Sequence, residues 1–137
     1  TLYGAGHEPT AGLVGNGMRA LLDFPDQWAA LQADRSLLHN AVSELLRYDG
    51  SVKTTVRWAK QDVDLKGVTV KKGERLLIGL SAANRDPQQF SDPDSLDLTR
   101  DPIAHVAAAH GIHTCIGGPL ACFAAQRLVE GLKALEA

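Results

Sequence analysis

Residues 105–122 gather three of the five histidines, both cysteines and three glycines of this chain. Cys115 lies on a Gly-rich stretch just ahead of a helical pattern. At such a place the helix dipole and unpaired backbone N–H groups favour a thiolate over a thiol. A thiolate with an open face and N–H groups aimed at its sulfur suits axial ligation of haem iron. Gly111, Gly117, Gly118 and the small Ala107, Ala108 and Ala109 remove the bulk that would keep a flat macrocycle away. Three other chemistries share these residues. A reactive thiol needs the same helix-terminus geometry. A zinc site would draw on His105, His110, His113 and Cys115, although their spacing matches no common finger or ribbon. A buried structural cysteine beside a turn is the plainest alternative.

The elements that must hold this segment are mostly helical. Leu13, Val14, Met18, Leu21 and Leu22 recur with helical period over residues 11–22. Pro25 ends that helix and suits the first turn of the next, residues 26–33, whose apolar face is Trp28 and Leu31. Ser36 is the expected N-cap of a third helix that runs to Tyr48 and is stopped by Asp49-Gly50. Strand character follows in residues 51–59, in a short hairpin from residues 63–65 to 68–70, and in residues 75–80. Residues 83–102 are irregular, with turn signals at Asp86-Pro87, Asp92-Pro93 and Asp101-Pro102. The last helix starts near Gly117-Gly118-Pro119, with Leu120, Ala121, Ala124, Leu128, Val129, Leu132 and Leu135 as its apolar positions. The expected class is mainly α with a small antiparallel β region.

Composition narrows the function. The 137 residues carry a formal charge of −2, with 45% hydrophobic and 22% charged residues, as in an ordinary folded protein. No basic cluster argues for nucleic acid or an anionic membrane surface, and no apolar run is long enough to span a bilayer. Two cysteines are too few for a disulfide framework; seven residues apart on one helix, they would sit about 10 Å from each other. The expectation is two free thiols in a reducing cytoplasm. The chain opens at Thr1 in helix-like sequence, which points to a fragment or a processed chain.

Four motifs carry a resemblance. The run from His110 to Ala121, HGIHTCIGGPLA, resembles the cysteine loop of the cytochrome P-450 family, the haem-thiolate monooxygenases. Glu44-Leu45-Leu46-Arg47 resembles its E-x-x-R helix. The stretch from Ala83-Asn84-Arg85-Asp86-Pro87 through Phe90 to Asp92-Pro93-Asp94 is similar to the meander of its bacterial members. Ala5-Gly6-His7-Glu8-Pro9-Thr10 resembles the oxygen-activation motif of its long central helix. The motifs follow the family's order and span nearly the whole chain.

The resemblance implies the C-terminal part of that fold as a single unit. Residues 1–22 would end the central helix, 25–48 lead to the E-x-x-R helix, 51–80 form the β region, 83–104 the meander, 105–116 the cysteine loop and 117–137 the last helix. It implies haem b (iron protoporphyrin IX), with Cys115 as the axial metal ligand, Arg57 and His113 on the propionates, and Gly117 and Ala108 beside the macrocycle. Glu44 and Arg47 would form a buried structural network behind the cysteine loop, and Glu8 and Thr10 would serve oxygen activation. The implied partners are a small apolar organic substrate and a ferredoxin-type electron donor or peroxide. Because the family's catalytic domain is about three times longer, above the size of one core, the chain would have apolar faces to cover, by a homodimer or by a separate N-terminal half. A non-catalytic haem-binding chain is the alternative function.

Four positions depart from the family pattern. Pro9 stands where the family usually has Thr, and it offers neither a hydroxyl nor an N–H. Ala108 and Ala109 replace a Phe-Gly pair that normally shields the thiolate, so a wetter site is expected. Cys122 replaces an Arg and reads as an inert helix residue.

Overall fold

A computed structural model describes residues 2–133, and the side chains as far as residue 131. Leu132 and Leu135, expected on the apolar face of the last helix, fall outside these described residues and side chains.

Helix α1, Leu2–Asp23, runs through Pro9 and so begins well before residues 11–22. Proline removes one backbone bond but fixes φ in the helical range, and Thr10 Oγ1 donates to the Gly6 carbonyl at 3.0 Å across the same turn. α2, Pro25–Ala33, starts on Pro25 as expected and buries Leu31 completely. The cap ahead of the third helix differs from expectation. Asp34 accepts the Ser36 N–H at 2.8 Å and opens a 3-10 turn over Arg35–Leu37, which leads into α3, Leu38–Asp49. A carboxylate two residues upstream thus takes the capping role expected of Ser36.

α1 and α3 pack closely. A Cβ added to Gly17 would lie 3.1 Å from Leu45 Cδ1, so the crossing leaves little room for a side chain there. Leu13, Ala20 and Leu21 of α1 meet Ala41, Val42 and Leu45 of α3 in the core, together with Leu31, Leu96 and Leu98. α5, Gly118–Lys133, closes one side of this core with Ala125 and Val129.

The β region forms two separate antiparallel pairs. β1 (Thr54–Trp58) pairs with β4 (Arg75–Gly79), placing Arg57 opposite Leu76. β2 (Val63–Leu65) and β3 (Val68–Val70) make the expected hairpin. Lys66 and Gly67 both have positive φ at its tip, as a two-residue hairpin turn requires. After β4 a single turn, α4 (Leu80–Ala83), leads into a long segment without regular elements that wraps the end of α3.

Candidate haem-binding site

The wrapping segment is fixed by one buried arginine. Arg47 is 1% exposed and Glu44 is fully buried. Arg47 Nε and Nη2 donate to the two Glu44 carboxylate oxygens at 2.7 and 2.8 Å, a bidentate pair along one helix face. Its other three N–H bonds reach the carbonyls of Asn84 (2.9 Å), Pro93 (2.8 Å) and Ser95 (3.0 Å). All five guanidinium donors are therefore used. Glu44 Oε1 also accepts the Asp97 N–H at 3.1 Å and Arg100 Nε at 3.2 Å. Asn84, 3% exposed, carries the network onward by accepting the Val106 N–H on its side-chain oxygen at 2.8 Å. From Val106 the chain enters the cysteine loop. Neither role is visible in the sequence: Asn84 stands there only as one residue of the meander resemblance, and Arg100 lies among turn signals.

The loop itself is tightly turned. Ala109 (φ 60°) and Gly111 (φ 64°) are left-handed, the Ala109 N–H bonds the Val106 carbonyl at 3.0 Å, and the Cys115 N–H bonds the Ala108 carbonyl at 2.9 Å. Thr114 Oγ1 donates to the Gly111 carbonyl at 2.8 Å. The Gly118 N–H bonds the Cys115 carbonyl at 3.2 Å, so α5 starts directly beneath the cysteine. Cys115 is exposed. Gly117 and Gly118 keep its surroundings low: a Cβ on Gly117 would lie 3.9 Å from Cys115 Sγ, and one on Gly118 3.9 Å from Ala108 Cβ.

Cys115 opens on a cavity of about 340 Å³. Ala108, Ala109 and Ala121 form its small-residue floor, Ala5, Pro9 and Leu13 of α1 one wall, and Val52 and Leu80 another. Arg57 and His113 also line it. Arg57 Nη1 donates to Thr55 Oγ1 at 3.0 Å and to the Val56 carbonyl at 2.8 Å. Among the described residues it enters no ion pair.

A cysteine sulfur, two cationic or hydrogen-bonding side chains and an apolar void of ligand size fit a flat, apolar macrocycle with carboxylates. A zinc site does not assemble. Among the described residues no group of three His, Cys, Asp or Glu side chains could hold a metal ion, and His105 Nδ1 instead accepts the Ala107 N–H at 3.3 Å. Burial pushes the His105 imidazole below its ordinary pKa.

The structure does not bring every expected residue to this cavity. The α1 wall shows Ala5, Pro9 and Leu13, spaced four apart on one face. Glu8 is exposed, and Thr10 lines a different groove with its hydroxyl turned to the Gly6 carbonyl. Gly117 acts through the space that it leaves, not as a lining residue. Cys122, by contrast, does line the cavity; burial raises its thiol pKa, and Cys115 adds to that rise.

The Cytochrome P-450 family model matches residues 2–126. The chain belongs to the cytochrome P-450 family. It is 49% identical over 129 residues to the cytochrome P-450 monooxygenase PikC of Streptomyces venezuelae, covering 93% of this chain and 31% of that protein. A solved cytochrome P-450, CREJ in complex with (4-ethylphenyl) dihydrogen phosphate, superposes with a TM-score of 0.95 at 38% identity, over 98% of this chain and 34% of the other. A second, a P-450 bound to an acyl carrier protein bearing hexadec-9Z-enoic acid, superposes with a TM-score of 0.91 at 42% identity, over 93% and 34%. The chain thus spans about a third of the length of these P-450 relatives. Family membership implies a haem cofactor. Among the described residues no helix is long and apolar enough to cross a membrane.

Proposed function

We propose that this chain is the haem-ligating, C-terminal part of a P-450 monooxygenase, binding haem b through Cys115. The observation that carries this reading is the shared cavity of Cys115, Arg57 and His113, with small side chains between them. Haem bound there would supply the redox chemistry that inserts one oxygen atom into a small apolar substrate or couples it oxidatively, driven by a ferredoxin-type donor or by peroxide.

The protein's own contributions are distinct. Cys115 offers its sulfur from a loop whose backbone is locked to Ala108, so the sulfur is presented at one place. Arg57 brings a fixed positive charge to the rim, held by Thr55 and the Val56 carbonyl, and suits a carboxylate bidentately. His113 adds a second donor. Val52, Leu80 and Leu13 keep water from the walls.

A second reading has its own observation. Ile112 and Ile116, on either side of Cys115, are 97% and 98% exposed, and Phe123 on α5 is 59% exposed. Such a face suits a non-catalytic haem-binding chain that pairs with a second copy or another chain. The test is the absorbance of the reduced, carbon-monoxide-bound protein. A thiolate-type Soret shift, abolished by Cys115→Ala, is expected; an unshifted or haem-free spectrum would sink the assignment. Product formation with redox partners or with peroxide then separates enzyme from binder.

A further inference from the structure

Ser51 follows the residue that caps α3 and reaches across to α1, where its Oγ donates to the Pro9 carbonyl at 2.5 Å. The approach depends on Gly12: a Cβ there would lie 2.8 Å from Ser51 Oγ. Ser51 and Pro9 both line the Cys115 cavity. With its hydrogen committed to Pro9, the Ser51 oxygen offers only lone pairs to that cavity.

Pro9 adds a second acceptor on the same wall. It has no N–H to give the carbonyl of Ala5, four residues earlier, which in a regular helix would receive that bond. Ala5 also lines the cavity, about one turn and about 6 Å along the helix from Pro9. Thr55, which also lines the cavity, accepts a bond from Arg57 on its hydroxyl oxygen. Among the described lining residues, the side of the cavity next to α1 is thus formed by the apolar side chains of Ala5, Pro9 and Leu13, with the Ser51 oxygen and, for want of a Pro9 N–H, the Ala5 carbonyl as its acceptors.

We propose that Ser51 and the Ala5 carbonyl form an acceptor subsite that orients a ligand through a hydroxyl group, so that the favoured substrates are apolar molecules bearing one hydrogen-bond donor. The proposal deepens the monooxygenase reading and rests on it for the word substrate. The subsite itself is a property of the wall and is measurable with or without haem.

The test is calorimetric titration of the full chain with cyclohexylmethanol and with ethylcyclohexane, which differ by a hydroxyl in place of a methyl. Ser51→Ala is expected to weaken cyclohexylmethanol binding about fivefold and to leave ethylcyclohexane within about twofold, the size of one net hydrogen bond. Unchanged affinity for both probes, or an equal loss for both, overturns the proposal. Should Ser51→Ala not fold by circular dichroism, Ser51→Cys, which keeps the packing but accepts weakly, is read by the same criteria. The Soret band of the same samples scores haem loading separately. A chain without that band that still loses alcohol affinity on Ser51→Ala sinks the monooxygenase reading and keeps the subsite.

Discussion

Arg47 and Asn84 are joined so that one residue serves two loops. Arg47 Nη1 holds the Asn84 backbone carbonyl at 2.9 Å, while the Asn84 side-chain oxygen holds the Val106 N–H at 2.8 Å. The E-x-x-R helix is thereby coupled to the cysteine loop through a single buried amide.

Removing the arginine takes the bidentate partner from buried Glu44, leaving it Arg100 and the Asp97 N–H, and frees three carbonyls at once. Arg47→Ala is expected to cost about 3–5 kcal/mol, a large fraction of the stability of an ordinary domain. Asn84→Ala leaves Arg47 its backbone partner but orphans the Val106 N–H, for about 1–3 kcal/mol. Urea midpoints of the two variants should rank in that order, and an Asn84→Ala chain as unstable as Arg47→Ala would break the account.

Ala109 and Gly111 share a left-handed backbone but not a residue type. An L side chain at such a φ costs about 1–2 kcal/mol, partly offset by the flexibility that glycine adds to the unfolded chain. Ala109→Gly should therefore stabilise by roughly 0.5 kcal/mol, and Gly111→Ala should destabilise by about 1 kcal/mol. Chemical denaturation reads both, and opposite signs are the diagnostic.

Burial holds the His105 imidazole neutral, below its ordinary pKa of 6.5, and its Nδ1 must stay unprotonated to accept the Ala107 N–H. The unfolded chain then binds the extra proton first. Stability from His105 is fully present above about pH 6.5 and is lost as pH falls through the lower folded value. The drop in urea midpoint between pH 7.5 and pH 5 should shrink in His105→Gln; an equal drop in both proteins would remove His105 as the cause.

Much of this was legible in the sequence for physical reasons. Helix spans followed from apolar period and from Pro25 and Gly50, and the hairpin from Lys66-Gly67, because these signals are local. The capping role of Asp34 was hidden because Ser36 satisfies the same rule two residues later. Glu8 and Thr10 could not be placed, because which face of α1 meets the cavity depends on packing against Leu45 and Ser51, not on the motif. The bonding role of Asn84 was hidden for a related cause: the meander motif contains the residue, but its partners are 37 residues back and 22 ahead.

Arg57 offers the most selective probe of the cavity. β1 holds it opposite Leu76, its guanidinium is positioned by Thr55 and Val56, and among the described residues no carboxylate answers its charge. A charge-assisted bond to a ligand carboxylate is worth about 1.5–3 kcal/mol, so Arg57→Ala should weaken haemin binding about tenfold or more. Arg57→Lys should recover only part of this, because an ammonium is a point charge without the planar fork. The control is haemin dimethyl ester, whose propionates carry no charge. If Arg57 acts on those carboxylates, wild type and Arg57→Ala should bind the ester alike in Soret titrations. If Arg57 merely shapes β1, the variant should lose affinity for acid and ester equally.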